Sequence, residues 1–254
     1  MPAEPKHAVS TSQKTISIVA TLESLDGAGV TEVADELDMN KSTVHNHLST
    51  LEAEELVVRD GEQYRLGLRF LKFGSHVRDR SRLYGVAEPE LDRLAERSGE
   101  FVNLGVEEFG RCVYLACEKG DRAVDLNFYP GIRRPMHLTA LGKAILAEYP
   151  TDRVDEIVSR HGLPAETPES ISDRESLDAE LAEIRKRGVA FDDEECISGL
   201  RCVAVPIQTN DGRPLGAIGV SAPTSRLDDD RFFDEVPDLV LSIANVIGLN
   251  ITQA

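Results

Sequence analysis

The sequence contains no tryptophan, few aromatic residues, four cysteines and only seven lysines in 254 residues. Each shortage excludes something. No stretch reaches roughly 18 consecutive apolar residues, which removes a membrane-spanning helix from consideration. The opening segment, MPAEPKHAVSTSQK, lacks an apolar core, so no secretory leader and an intracellular, cytoplasmic protein are expected. The cysteines stand at 112, 117, 196 and 202. A structural zinc site shows Cys pairs about two to four residues apart with further Cys or His at matching spacing. These cysteines do not fit, and no metal, disulfide or cofactor is expected. In a strand, Cys112 and Cys117 are an odd number of residues apart and should point to opposite faces. Reduced, partly buried thiols are the expected state.

Acid is what the chain has in excess. Forty-five Asp and Glu stand against 28 Lys and Arg, a net charge of −17. The acids run along the whole chain, and with lysine scarce the pattern fits a surface hydrated in very salty cytoplasm. Such a balance argues against a broadly basic nucleic-acid binder. The acid is unevenly placed, however. Residues 1–80 carry 9 basic and 13 acidic groups, and the remainder carries 19 and 32. At 41% apolar the chain is globular, with length for one large domain or two small ones.

Residues 1–12 read as a disordered arm. Ile18, Val19, Leu22 and Leu25 then form a helical stripe that stops at Asp26-Gly27-Ala28-Gly29. Thr31 is placed to cap a short helix carrying Val33, Ala34 and Leu37. Asn40 is placed to cap a third helix, from Lys41 to about Glu54. Two short runs around Asp60-Gly61 make a hairpin. Helix, helix, turn, helix and hairpin over residues 13–68 form a winged helix-turn-helix pattern. A connecting helix follows at 69–82. Residues 83–254 mix strands and helices, so the chain reads as α+β. Expected there are a helix from Pro89 to Gly99 and strands at 102–106, 113–117 and Asp125–Phe128. Helices follow at 141–148, 151–160 and 173–187, the last with a Ser172/Glu175 capping box and Gly188 beyond its end. A hairpin at 203–208 and 215–221 and a helix from about Arg231 complete the chain.

On the third helix, Val44, Leu48 and Leu51 share one face, and Ser42, His45, Asn46 and Ser49 fall opposite. None of those four is acidic, which is informative in so acidic a chain. Short polar side chains can donate to phosphates or read base edges in a major groove. Lys41 sits at the N-terminal end, where the helix dipole also favours phosphate. Arg59 and Arg65 flank the hairpin turn and are placed to grip adjacent backbone. The plainer alternative is a solvated face in a protein-docking module.

Asn40-Lys41-Ser42-Thr43-Val44-His45-Asn46-His47-Leu48 resembles the recognition helix of IclR-type transcriptional regulators, and Tyr64-Arg65-Leu66-Gly67 resembles that family's wing exit. Pro135 through Ala144 resembles its effector-domain signature, as does Gly188 through Cys202 followed by Val203-Ala204-Val205-Pro206. The likeness runs over about residues 12–252. It implies an N-terminal winged helix-turn-helix and a C-terminal GAF-like domain built on a mixed antiparallel sheet. It implies double-stranded operator DNA as partner, contacted by Lys41, Ser42, Thr43, His45, Asn46, Ser49, Arg59 and Arg65. It also implies a homodimer or homotetramer and a small-molecule effector. Candidate dimer contacts are Ile18, Val19 and Leu22 on the first helix and Phe70, Leu71, Phe73 and Val77 on the connecting helix. By the same likeness the effector meets Leu126, Arg134, Ala140, Leu141, Asp192, Leu200, Cys202, Gly219 and Ser221. The chain departs from the family pattern at Asn46, where Arg is frequent, at Arg134, where Leu is common, and at Gly219, where relatives that bind small keto acids carry Ser. Gly219 and Arg134 should enlarge the cavity and favour a sugar or sugar acid, pointing to pentose or sugar-acid catabolism. No enzyme is expected. Gly142-Lys143 is followed by Ala144 and so is not a P-loop, no G-x-S-x-G occurs, and nothing in the sequence pairs His137 with Cys202.

Overall fold

The computed structural model describes residues 8–209 and 212–253. The chain divides into two compact units after Arg78.

The first unit runs α1 (Ser10–Ser24), β1 (Ala28–Gly29), α2 (Val30–Glu36), α3 (Lys41–Ala53), β2 (Val57–Asp60), β3 (Gln63–Leu66) and α4 (Arg69–Asp79). Its core joins Ile18 and Leu22 of α1, Val33 and Ala34 of α2, Val44, Leu48 and Leu51 of α3, and Val57 and Tyr64 of the hairpin. The stripe on α3 is buried as its spacing requires, and Asn40 caps the helix, its Oδ1 accepting the Ser42 N–H at 2.9 Å. Four features differ from the sequence reading. α1 begins at Ser10, inside the segment expected to be an arm, of which residues 1–7 lie outside the described residues. α2 is capped by Gly29 without a side-chain bond, so Thr31 lies in its first turn. β1 is a two-residue strand with no periodicity to betray it; it pairs Ala28 with Tyr64 and widens the hairpin into a three-stranded sheet. Ile18 and Leu22 are consumed by this core and are not free for a dimer contact.

The second unit begins with α5 (Arg82–Ser98), β4 (Phe101–Glu108), β5 (Arg111–Lys119) and β6 (Arg133–Pro135). A 3-10 turn (Met136–Leu138) leads into α6 (Ala140–Ala147), α7 (Thr151–His161), α8 (Arg174–Arg187) and β7 (Ala190–Asp193). β8 (Leu200–Gln208), β9 (Pro214–Pro223), a π-turn (Arg231–Glu235) and α9 (Val236–Gln253) follow. One antiparallel sheet orders its strands β6-β5-β4-β9-β8-β7. Its two faces feed separate apolar layers. Val102, Leu104, Val203, Ile218 and Val220 pack with α5 and α9. Phe101, Cys112, Tyr114, Ala204 and Ala217 pack with α6, α7 and α8.

The expected connecting helix is interrupted at Arg80-Ser81, and Ser81 caps α5 by accepting the Tyr84 N–H. α5 runs through Pro89, which was expected to start it; Gly99 ends it in the left-handed region at φ 72°. No strand forms at Asp125–Phe128, because Arg133–Pro135 takes the edge of β5 instead; Phe128 turns inward, edge-on to Phe101 and Tyr114. α8 is capped one residue later than expected and without a box: Asp173, not Ser172, is the N-cap, its carboxylate accepting both the N–H and the hydroxyl of Ser176. Cys112 and Cys117 share a face despite their odd separation. Leu104 pairs with Ala116 and Gly105 with Tyr114, so Leu115 has no partner in β4. That bulge adds one residue and restores the parity, and both thiols join the layer beneath α6.

Candidate DNA-reading face and effector cavity

Lys41, Ser42, His45 and Asn46 are exposed on α3, and Thr43 and Ser49 are half-buried. Thr50 Oγ1 donates back to the Asn46 backbone carbonyl at 2.9 Å. His47, the neighbour that sequence reasoning passed over, is turned inward, its Nδ1 2.8 Å from Thr15 Oγ1, and so braces α3 against α1. Arg59 stands across the strand pair from Tyr64 and Arg65 from Val58. Adjacent register positions alternate faces, so the two arginines point to opposite sides of the wing. Arg59 lies over the Tyr64 ring at 5.5 Å, and its Nε donates to the Gly61 carbonyl. Arg65 packs against Gly27, where an added Cβ would meet its Cγ at 2.7 Å. Arg59 shares a cleft with the reading helix: about 780 Å³ lined by His45, Arg59 and Tyr64, but also by Glu32, Asp35, Glu36 and Glu62, and not by Arg65. The acid-free strip is thus bordered by carboxylates that linear reading left on separate elements.

In the second unit, register assembles the other candidates. Asp192 on β7 stands opposite Cys202 on β8, and Cys202 opposite Ser221 on β9. These three polar side chains form one rung across three strands, on the face beneath α6. Cys202 stands between Asp192 and Ser221 on this rung. On β4, Asn103 stands opposite Gly219 and reaches diagonally to the rung, its Nδ2 donating to Ser221 Oγ at 3.0 Å. α6 presses close because the sheet is small-sided there: a Cβ on Gly105 would meet Leu141 Cδ1 at 3.2 Å. Thr139 caps α6 by accepting the Gly142 N–H at 3.0 Å. The N–H groups of Ala140 and Leu141 have no acceptor within the helix, as at any helix start. A cavity of about 10 Å³ separates helix and sheet, lined by Asn103, Tyr114, Thr139, Ala140, Leu141, Cys202, Gly219 and Ser221 among others. It has room for roughly one water.

Five of the nine expected effector residues therefore meet at one cavity, and Asp192 joins through Cys202. Leu126 and Leu200 sit in the same apolar layer without lining the cavity. Arg134, at the sheet edge, faces Glu166 at 3.6 Å. Gly219 does not enlarge the space as expected. Its missing side chain is replaced by neighbouring backbone, since a Cβ would lie 2.5 Å from the Val203 carbonyl oxygen. Sequence reasoning missed Asn103 because the alternation of Val102, Leu104 and Val106 drew attention to the other face of β4. The signal was there, in a polar residue between inward-facing Phe101 and Gly105.

The electrostatics of the cavity are set by burial. Asp192 is 1% exposed, and desolvation lifts its carboxyl to about 7 although Lys143 opposes the shift. Its Oδ1 accepts the N–H groups of Glu195 at 2.8 Å and Cys196 at 3.2 Å, which closes the turn after β7. The run Asp192–Glu195 is thus only partly the solvated surface expected. Lys143 on α6 is fully buried; it pairs with Glu195 and lies 3.9 Å from Glu180. Burial pushes the Cys112 and Cys196 thiols up to about 12 and Cys202 well above its ordinary value. They are thiols rather than thiolates, and so poor nucleophiles. His137 bonds the Pro164 carbonyl at 3.0 Å and forms no pair with Cys202. Among the described residues no group of three or more His, Cys, Asp or Glu could hold a metal ion, and no helix is long and apolar enough to cross a membrane.

A helix-turn-helix with a wing, joined in one chain to a sheet-and-helix unit with a polar cavity, defines the class: a transcriptional regulator with a separate second domain. The family models agree on both halves. The IclR helix-turn-helix domain matches residues 12–61, and the bacterial transcriptional regulator IclR C-terminal domain matches residues 75–248. The chain belongs to the IclR family of transcriptional regulators, whose members are regulators rather than enzymes. It is 32% identical over 243 residues to the probable HTH-type transcriptional regulator ArcR of Halobacterium salinarum, covering 94% of this chain and 92% of that one. It is 33% identical over 231 residues to the transcriptional repressor IclR of Escherichia coli, covering 89% and 84%. The Thermotoga maritima IclR crystal structure superposes with a TM-score of 0.79 at 27% identity, over 96% of this chain and 99% of that one.

Proposed function

We propose that this regulator is ligand-responsive, and that its effector is a small organic acid, with sugar acids inside the class considered. The observation that carries the reading is the polar rung Asp192–Cys202–Ser221, its two ends buried, set against the first N–H groups of α6. A carboxylate suits those N–H groups, and hydroxyls suit the rung. Control of a catabolic pathway, such as pentose or sugar-acid use, follows from an effector of that kind. Entry requires α6 and the sheet to part, since the cavity holds about 10 Å³. Binding therefore favours an opened form and shifts a population.

The DNA contacts we assign are Lys41, Ser42, His45 and Asn46 on α3 with Arg59 on the wing. Thr43, Ser49 and Arg65 are peripheral to them. Two copies bind a roughly palindromic operator, each inserting one recognition helix into successive major-groove turns. α4 supplies the contact between copies: it buries none of its residues, and Leu71, Phe73 and Val77 are exposed along it. The protein works in the cytoplasm of a salt-accumulating cell, as its −17 charge suits. Fluorescence anisotropy on the DNA upstream of its own coding sequence tests the reading. Operator affinity changes by tenfold or more with one of a panel of sugar acids and short hydroxy acids. Tight binding that no acid alters supports the alternative, a ligand-independent DNA-binding protein. No binding to DNA supports a protein-docking adaptor.

A further inference from the structure

Asn103 is the buried polar group that the cavity leaves unfinished. It is 1% exposed on β4 and lines the space beneath α6. One end of its amide is used, Nδ2 donating to Ser221 Oγ at 3.0 Å. The other end, Oδ1, is buried with no partner in the protein. Nearly all buried polar atoms find a partner, and one that does not calls for an explanation. The amide is held in place rather than idling, because its partner Ser221 is itself buried on β9, opposite Cys202. Turning the amide over does not cure the deficit, since it leaves the nitrogen facing the same space in place of the oxygen. A hydroxyl satisfies either orientation, being both donor and acceptor.

We infer that Asn103 selects an effector that carries a hydroxyl group as well as its carboxylate, the hydroxyl completing the Asn103 amide. This rests on the small-acid reading above and adds the identity of the group that discriminates among acids. Both anchors line one cavity: Asn103 on the sheet side, and Ala140 and Leu141 at the start of α6 on the other. A site built to hydrogen-bond a hydroxyl rejects the analogue lacking it far more strongly than an apolar pocket rejects an extra methylene. A single trapped water could also meet the amide, because the cavity has room for about one. In that case Asn103 would have no bearing on selectivity.

The test is titration calorimetry on the full chain with matched acid pairs that differ by one hydroxyl: glycolate and acetate, lactate and propionate, 3-hydroxybutyrate and butyrate, gluconate and 2-deoxygluconate. Wild type should favour the hydroxylated member of at least one pair by tenfold or more. Asn103→Leu, close in size and without polar atoms, should bring that preference below threefold while still binding the deoxy acid. If Asn103→Leu does not fold, Asn103→Ser, which puts a shorter hydroxyl in place of the amide, should leave an intermediate preference. A wild type that binds acids of a pair equally overturns this inference alone. A preference unchanged in the variants also overturns it and assigns the amide to a trapped water. A wild type that binds none of the acids overturns the small-acid reading and this inference with it.

Discussion

Asp192→Asn should make the protein more stable, and only at the higher pH values. The carboxyl is 1% exposed and titrates near 7 rather than at its ordinary 3.8. Its folded-state value lies above its unfolded one, so the protonated form is the one folding favours. That stabilisation is fully present below about pH 4 and is lost as pH rises through 7. A displacement of roughly three pH units corresponds to about 4 kcal/mol of strain from holding the ionised form. Asn keeps the neutral shape, and its oxygen can still accept the Glu195 and Cys196 N–H groups. The variant should therefore gain up to about 4 kcal/mol at pH 8.5, about half of that at pH 5.5, and little near pH 4. At roughly 2–4 °C per kcal/mol, the rise in Tm at pH 8.5 is on the order of 10 °C. Urea unfolding of both proteins at pH 5.5 and 8.5, in matched salt, measures the difference. Equal differences at the two pH values, or a variant that is weaker at pH 8.5, would refute the claim that a buried ionised carboxylate is held here.

Lys143→Met removes the cation buried against Glu195 and Glu180, leaving Glu195 with an uncompensated charge. A loss of about 3–5 kcal/mol is expected. Burial already holds the Glu195 carboxyl above its ordinary value, and losing Lys143 raises it further. The loss should therefore grow as pH rises from 5.5 to 8.5 and be largely repaired by adding Glu195→Gln. Chemical denaturation decides the matter, and a variant as stable as wild type at pH 8.5 would contradict it. On the DNA contacts proposed above, each reading head has three basic residues at most, Lys41, Arg59 and Arg65, and four carboxylates border the cleft. The slope of log affinity against log salt should then be no steeper than about −5 for the two heads of the proposed dimer. Anisotropy titrations between about 0.1 and 1 M salt check this, and a slope near −10 would mean that other cations grip the duplex.

Much of the first unit was legible because its signals are local. The cap at Asn40, the stripe of Val44, Leu48 and Leu51 and the Asp60-Gly61 turn each act within a few residues. What escaped was relational. A two-residue strand such as β1 has no period of its own, and its pairing is decided by Tyr64, 36 positions further on. The opposed directions of Arg59 and Arg65 follow from the ladder rather than from their symmetry about the turn. In the second unit, Asp192, Cys202 and Ser221 were readable through family likeness, yet their meeting is a property of strand register. Gly219 misled because a missing side chain reads as space in a sequence, whereas here the Val203 carbonyl fills it. Pro89 misled because a helix held on one side by a packed layer tolerates a proline that an isolated helix would not.

The unpaired Leu115 makes β5 tolerant of losing one residue at this point. Residues on its two sides are phased differently, so Tyr114 and Cys117 both look toward α6 although two residues lie between them. Excising Leu115 would make Tyr114 and Ala116 neighbours opposite Gly105 and Leu104, and the ladder would run on without a bulge. Cys112, Tyr114 and Cys117 would keep their face, so a relative shortened here would present the same cavity wall on a straighter strand.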